Sequence, residues 1–192
     1  MRFVVFDLET KMSPFSRGRL DVRELELTVA GVYDSTEDAY RAYTLEELPR
    51  LWPLLERAEL LIGFNSDSFD IPLLNRYYPG DLSSIRSLDL LTEVYRALGR
   101  RLRLDNLARA TLGRGKKGDG AKAGAWWEAG LYDKVKEYCL EDVRLTKELY
   151  DYALAHGALK YKDLSATKDI KLDTRHWLAE SAAPAMTHAL PL

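Results

Sequence analysis

Four carboxylates in this chain stand where their spacing can give them chemical work. In "RFVVFDLET", Asp7 and Glu9 are two apart, so on a strand both side chains project from one face. Two acids crowded at the end of an apolar strand repel each other. A hard divalent cation such as Mg²⁺ or Mn²⁺, which prefers carboxylate oxygen, relieves that repulsion. Solvation of both acids just past the strand is the other reading, and an Asp-x-Glu alone leaves both open. Asp70 follows a second apolar run, "ELLIGFN", at the head of a short helix. There it can complement the helix dipole, or reach Asp7 and Glu9, because neighbouring strand ends converge on one edge of an open sheet. Asp142 breaks the pattern of its own helix. At 100° per residue, Leu131, Val135, Tyr138, Leu145, Leu149 and Ala153 form one apolar stripe, and Asp142 falls near its centre. A carboxylate on a core-facing stripe needs compensation. A bond to Tyr138 one turn back, an ion pair with a basic residue, or a metal ion would each provide it.

The elements that position these acids are legible in outline. Residues 27–34 and 38–44 read as strands joined by the turn "DSTED". Residues 11–26, polar and carrying Pro14 and Gly18, read as a long surface excursion. Residues 45–58 read as a helix, weakened by Pro49 and Pro53, with Thr44 as N-cap and Glu47 completing a capping box. "SLDLLTEVYRALG" and "RLDNLARATLG" read as helices capped by Ser87 or Asp89 and by Asp105, stopped by Gly99 and Gly113. Residues 113–125 read as a flexible Gly/Lys loop, 131–156 as a long helix, and "KYKDLSATKDIKL" as a weak last strand. Three early antiparallel strands followed by strand–helix units predict a mixed sheet in an α/β domain. The tail 179–192 has little to hold it and reads as disordered.

Composition limits the function classes. The chain has 192 residues, 46% hydrophobic and 30% charged, which suits a globular domain. No apolar run approaches the ~18 residues that span a bilayer, so no membrane role is expected. The acid-bearing amino terminus does not read as a signal peptide. A single cysteine, Cys139, excludes an internal disulfide and fits a reducing, cytoplasmic setting, most simply as a small buried hydrophobe. From Arg96 to Lys122 nine basic residues face two acids, a local charge of +7 in a chain of net −2. That asymmetry fits either a polyanionic partner or a solvated helix face and loop. "GKKGDGAK" lacks the Gly-Lys-Ser/Thr ending of a phosphate-cradling loop, and His156, His176 and His188 have no ligand spacing.

"FDLET", "GFNSDSFD" and "YCLEDVRLT" resemble, in order and spacing, the three motifs of 3′–5′ exonucleases of the ribonuclease H-like, DnaQ-like superfamily. Asp7, Glu9, Asp70, Asp142 and Tyr138 match the pattern called DEDDy. A second branch carries a histidine five residues before the last acid, where this chain has Glu137. The likeness extends over roughly residues 1–178. It is strongest to small stand-alone proteins regarded as predicted exonucleases related to family B polymerase proofreading domains.

The resemblance implies a ribonuclease H-like α/β fold with a mixed five-stranded sheet flanked by helices. It also implies two divalent ions, Mg²⁺ or Mn²⁺, about 3.5–4 Å apart, acting in line on a phosphodiester. Asp7 would bridge both ions, Glu9 and Asp142 would hold the nucleophile-side ion, and Asp70 would act on the other through water. Tyr138, with an ordinary pKa near 10, would orient the attacking water rather than deprotonate it. Leu8, Thr10, Asn65 and Phe69 would sit beside the terminal nucleotides. The basic segment, with Lys122, would track the strand. The substrate implied is the 3′ end of single-stranded nucleic acid. DNA is favoured, with RNA open because no motif reads the 2′-hydroxyl. Helicases, polymerases and repair proteins are the partners such an enzyme would have. Two other classes compete: a non-catalytic nucleic-acid-binding or scaffold domain of the same fold, which has no reason to tolerate a buried Asp142, and a ribonuclease H-like endonuclease, which the Tyr138–Asp142 pairing and "GFN" disfavour.

Overall fold

A computed structural model describes residues 1–12, 22, 25–116, 121–164 and 166–178. The predicted tail, residues 179–192, and part of the Gly/Lys loop lie outside the described residues. Seven strands and six α-helices are described: β1 (Phe3–Met12), β2 (Leu25–Asp34), β3 (Ala39–Thr44), α1 (Trp52–Glu56), β4 (Leu60–Gly63), α2 (Asp70–Leu74), β5 (Ser87–Asp89), α3 (Leu90–Leu98), α4 (Leu104–Leu112), α5 (Ala121–Glu128), α6 (Tyr132–His156), β6 (Ala158–Asp163) and β7 (Ala166–Lys171). Five strands form one sheet in the order β3-β2-β1-β4-β5. β1, β2 and β3 pair antiparallel, while β4 and β5 run parallel to β1. The mixed five-stranded sheet is as expected.

Alternation along β1 divides its side chains between the two faces. Val4, Phe6 and Leu8 enter a core with Leu51, Leu54, Leu55, Ile71 and Leu74, under α1 and α2. Val5 enters the other, with Val143, Leu145 and Leu149 of α6. Asp7 and Glu9 continue the Val5 face, so the strand that builds the core also carries its acids towards α6. Close approach of α6 depends on Gly31. A Cβ there would lie 2.8 Å from Cys139 Sγ and 3.2 Å from Val143 Cγ2. Gly31→Ala is therefore expected to destabilise the fold by about 1–3 kcal/mol through overpacking, read as a lower denaturant midpoint at unchanged slope. An unchanged midpoint would mean that α6 is free to retreat.

Several local expectations are corrected. Residues 45–58 are not one helix: a 3₁₀ turn, Leu45–Arg50, precedes the five-residue α1, as prolines at 49 and 53 break the amide ladder. The Thr44–Glu47 capping box is present, with the Thr44 amide donating to Glu47 Oε2 at 3.0 Å. β1 and β2 extend to Met12 and Leu25, which shortens the predicted excursion. Residues 87–89 form a strand before α3, and Asp89 alone is the cap, accepting from the Leu91 amide at 2.9 Å. Asp105 does not cap α4. Arg103 occupies that position, and Asp105 pairs with Arg109 at 2.7 Å. Residues 121–125, the end of the segment read as loop, belong to helix α5, Ala121–Glu128. The last "strand" is a hairpin, β6–β7, in a sheet of its own, so the fifth strand of the main sheet is β5. Among the described residues no helix is long and apolar enough to cross a membrane.

Candidate functional site

Register places the first two acids. Asp7 lies opposite Gly31 and Glu9 opposite Val29 on β2, and opposed residues of an antiparallel pair share a face. Val29 packs with Val135, Tyr138 and Cys139, so that face looks onto α6. Asp70 heads α2 beyond β4 and is tied back to β1, its Oδ1 accepting the Leu8 amide at 3.0 Å. Asp142 is buried at 2% exposure on the α6 face that meets the sheet. Its Oδ2 accepts from the Lys116 ammonium, which also lies 5.6 Å from the centre of the Tyr138 ring. Asp142 Oδ1 and the Tyr138 hydroxyl are buried with no hydrogen-bond partner among the described residues.

Electrostatics tie these groups into one cluster. Burial, then the charges of Asp142, Asp70 and Glu9, holds the Asp7 carboxyl well above the usual range. Burial and Asp142 push Glu9 up to about 8. Burial lifts Asp70 to about 7, against the Leu8 amide that favours its charge. Asp142 is raised by burial despite Lys116. Burial opposes the charge of Lys116, but Asp142 and Asp7 more than offset it and keep the amine protonated. Tyr138 is pushed up to about 12 by burial and then by Asp142, so it is a neutral phenol at neutral pH. One ammonium faces four carboxylates. Crowded oxygen donors, mutual repulsion and an orphaned buried Oδ1 suit a hard divalent cation.

The remaining expected residues scatter. The Leu8 side chain is buried in the core, and it is its amide that reaches the cluster. Phe69 packs against the same core, and Thr10 lies half-buried past a register shift after Glu9. Asn65, at φ 69°, gives its amide to Asp89 Oδ1 at 2.7 Å, and its Oδ1 accepts from Ser68 at 2.8 Å and from Arg101. A cavity of about 720 Å³ opens between Asn65, Arg101, Lys116 and Tyr138. Lys122 is exposed on α5 and does not line it. Of the adjacent tryptophans on α5, Trp126 packs edge-on against Tyr138 at 6.0 Å and Trp127 against Tyr132 at 4.5 Å.

A family model of the RNase H superfamily matches residues 4–154, most of the chain and all four acids. The chain belongs to the RNase H superfamily. The fold is similar, at a TM-score of 0.61 and 18% identity, to the family B DNA polymerase from the hyperthermophilic archaeon Pyrobaculum calidifontis. The match covers 80% of this chain and 24% of that one, so the chain spans about a quarter of the polymerase. No curated protein matches it.

Three residues of this RNase H-superfamily site were not singled out by sequence reasoning. Lys116 was one of nine basic residues with nothing to mark it as the partner of Asp142. Cys139, fully buried as expected, lies with its Sγ 3.2 Å from the Asp7 carbonyl oxygen and 3.7 Å from Asp7 Oδ2. It shares a tight group with Asp7 and Glu9. Burial, then Asp7, pushes its thiol up, so it is a neutral donor to Asp7 rather than a thiolate ligand. Asp89 holds the Asn65 and Asp67 amides as well as its own helix start.

The raised carboxyl pKa values give a sign to pH dependence. Their contribution to stability is fully present below the unfolded values near 4 and is lost as pH rises through about 7 to 8. A divalent ion held by the deprotonated cluster would restore what is lost. Mg²⁺ or Mn²⁺ at about a hundred times its Kd adds roughly 2.7 kcal/mol, hence several degrees in Tm, and the shift is expected to be larger at pH 8 than at pH 5.5. An equal shift at both pH values would place the ion elsewhere.

Proposed function

We propose that this chain is a divalent-metal-dependent 3′–5′ exonuclease of the DEDDy type, acting on single-stranded ends, DNA ahead of RNA. The catalytic unit runs to residue 178. The observation that carries the reading is the gathering of Asp7 with the buried Glu9, Asp70 and Asp142, from three separate segments, each of the three raising the Asp7 carboxyl, with the Lys116 ammonium on Asp142. A scaffold domain gains nothing from that arrangement, since uncompensated buried carboxylates are costly.

Asp7, Glu9, Asp70 and Asp142 would hold Mg²⁺ or Mn²⁺. When bound, such ions supply an activated water and charge neutralisation at the leaving oxygen. The chain does the rest. The Leu8 amide fixes the Asp70 carboxylate. Tyr138, a neutral phenol at neutral pH, would orient the attacking water through its buried hydroxyl beside the cluster. Asn65, pinned by Asp89 and Arg101, stands across the cavity as a polar contact for the terminal nucleotide. Thr10 and Phe69 flank the same motifs. Lys122 adds positive charge on α5. Leu8 contributes through its backbone.

The test uses 5′-labelled single-stranded DNA and RNA with Mg²⁺ or Mn²⁺. A ladder shortening from the 3′ end, abolished by EDTA, is expected. Internal fragments without a ladder would favour the endonuclease, and intact strands under every condition would favour the scaffold.

A further inference from the structure

The nine basic residues between Arg96 and Lys122 do not act alike. Arg96 is paired with Glu93 at 2.5 Å, Arg100 with Asp163 at 3.3 Å, and Arg114 with Glu141 and Glu148 at 2.6 and 2.5 Å. The first pair lies within α3, while the others fasten the segments before and after α4 to β6 and α6. Arg101, Arg103 and Arg109 instead line the cavity beside Tyr138 and Lys116. The same three line a second cavity of about 420 Å³, which continues past Asn106 to Lys162 on β6. The two openings share Arg101, Leu102, Arg103, Asp105 and Arg109, so they are parts of one groove. Among the described residues Asp105 is its one acid, and Arg109 pairs with it at 2.7 Å.

The far end of the groove is held rigidly. Asn106 on α4 donates through Nδ2 to the Lys162 carbonyl at 3.0 Å and accepts the Lys162 amide through Oδ1 at 3.0 Å. Five residues on, Thr111 makes the same two-way bond to Lys160, at 3.0 and 2.9 Å. This double clamp fixes β6 along α4 and leaves the Lys162 side chain on the groove wall. β6 and β7 lie beyond the segment matched by the family model.

From this continuity of charge and shape we infer that the groove over α4, ending at Lys162, is the track for the phosphodiester backbone of the strand whose 3′ end occupies the acid cluster. The inference rests on the strand-end reading above and adds the path, the residues and the role of the β6–β7 hairpin. Phosphates would meet Arg101 first, then Arg103 and Arg109, and Lys162 last. The hairpin then makes affinity depend on strand length.

Anisotropy with labelled phosphorothioate oligothymidylates of about 4 to about 16 nucleotides tests this. Wild-type affinity is expected to rise with length. Each phosphate contact removed lowers the log–log salt slope for single strands by about 0.7. Arg103→Ala and Lys162→Ala are therefore each expected to flatten the slope of the longest oligonucleotide by that amount. Lys171→Ala, on β7 away from the groove, should leave the slope unchanged, and the divalent-ion shift in Tm should survive in all three variants. Length-dependent binding with unaltered slopes in Arg103→Ala and Lys162→Ala would overturn the groove alone. No binding of any oligonucleotide to the wild type would overturn the strand-end reading with it.

Discussion

Asp142→Asn is expected to remove divalent-dependent strand shortening by at least about 100-fold, the scale on which losing one electrostatic partner in a water-excluded site acts. Asparagine keeps the volume and one oxygen of the side chain, so its packing on α6 has no reason to change. What goes is the charge. Asp142 is 2% exposed, its Oδ1 has no partner among the described residues, and its Oδ2 meets Lys116. An ion pair with Lys116 satisfies one oxygen and leaves the other without a partner among the described residues, while the charge of Asp142 still raises Asp7 and Glu9. If the pair were purely structural, removing the charge would leave a buried ammonium with fewer partners and cost stability without touching chemistry. The two accounts therefore separate cleanly. A folded variant, judged by circular dichroism and Tm, that has lost activity supports the metal-site reading, and a destabilised variant with full activity contradicts it.

The second large effect concerns stability. Trp177→Ala is expected to cost about 3–5 kcal/mol, lowering Tm on the order of 10 °C for a chain of this size. Trp177 is fully buried, stacks on Tyr150 with ring centres 5.8 Å apart, and donates through Nε1 to Glu93 Oε2 at 3.2 Å. It belongs to the core that also holds Val5, Leu149 and Leu159, although it lies beyond the segment that the family model matches. Burial of Trp177 in that core packs the end of the described chain against the segment the family model matches. Trp177→Phe keeps most of the packing and should lose about 1 kcal/mol with the hydrogen bond. A Trp177→Ala variant within 0.5 kcal/mol of wild type would mean that the segment can detach.

The acids were legible because each obeyed a local rule. A period of two puts Asp7 and Glu9 on one face, and a period of 3.6 turns Asp142 inward. Their meeting was legible only through strand ends converging on one sheet edge and through family likeness. What failed failed for local reasons too. β5 has three residues and runs into the Asp89 cap of α3, leaving no apolar run to see. α5, "AKAGAWWE", carries a glycine inside and follows a Gly/Lys run, so composition spoke for loop against helix. Leu131 fits the helical stripe but sits at its N-cap, 40% exposed. The Lys116–Asp142 pair spans 26 residues, and the clamp of Asn106 on Lys162 spans 56. Contacts of that range leave no periodic trace in a sequence.

If Asp7, Glu9, Asp70 and Asp142 share a divalent cation, Asp7, raised by all three of the others, is the carboxylate whose loss should weaken it most. Titration of Mn²⁺ into the protein at pH 8, followed by electron paramagnetic resonance, measures this directly. Saturable binding is expected in the wild type, weakened at least tenfold by Asp7→Asn in a variant that remains folded. Equal Mn²⁺ binding in both proteins, or none in either, would contradict it.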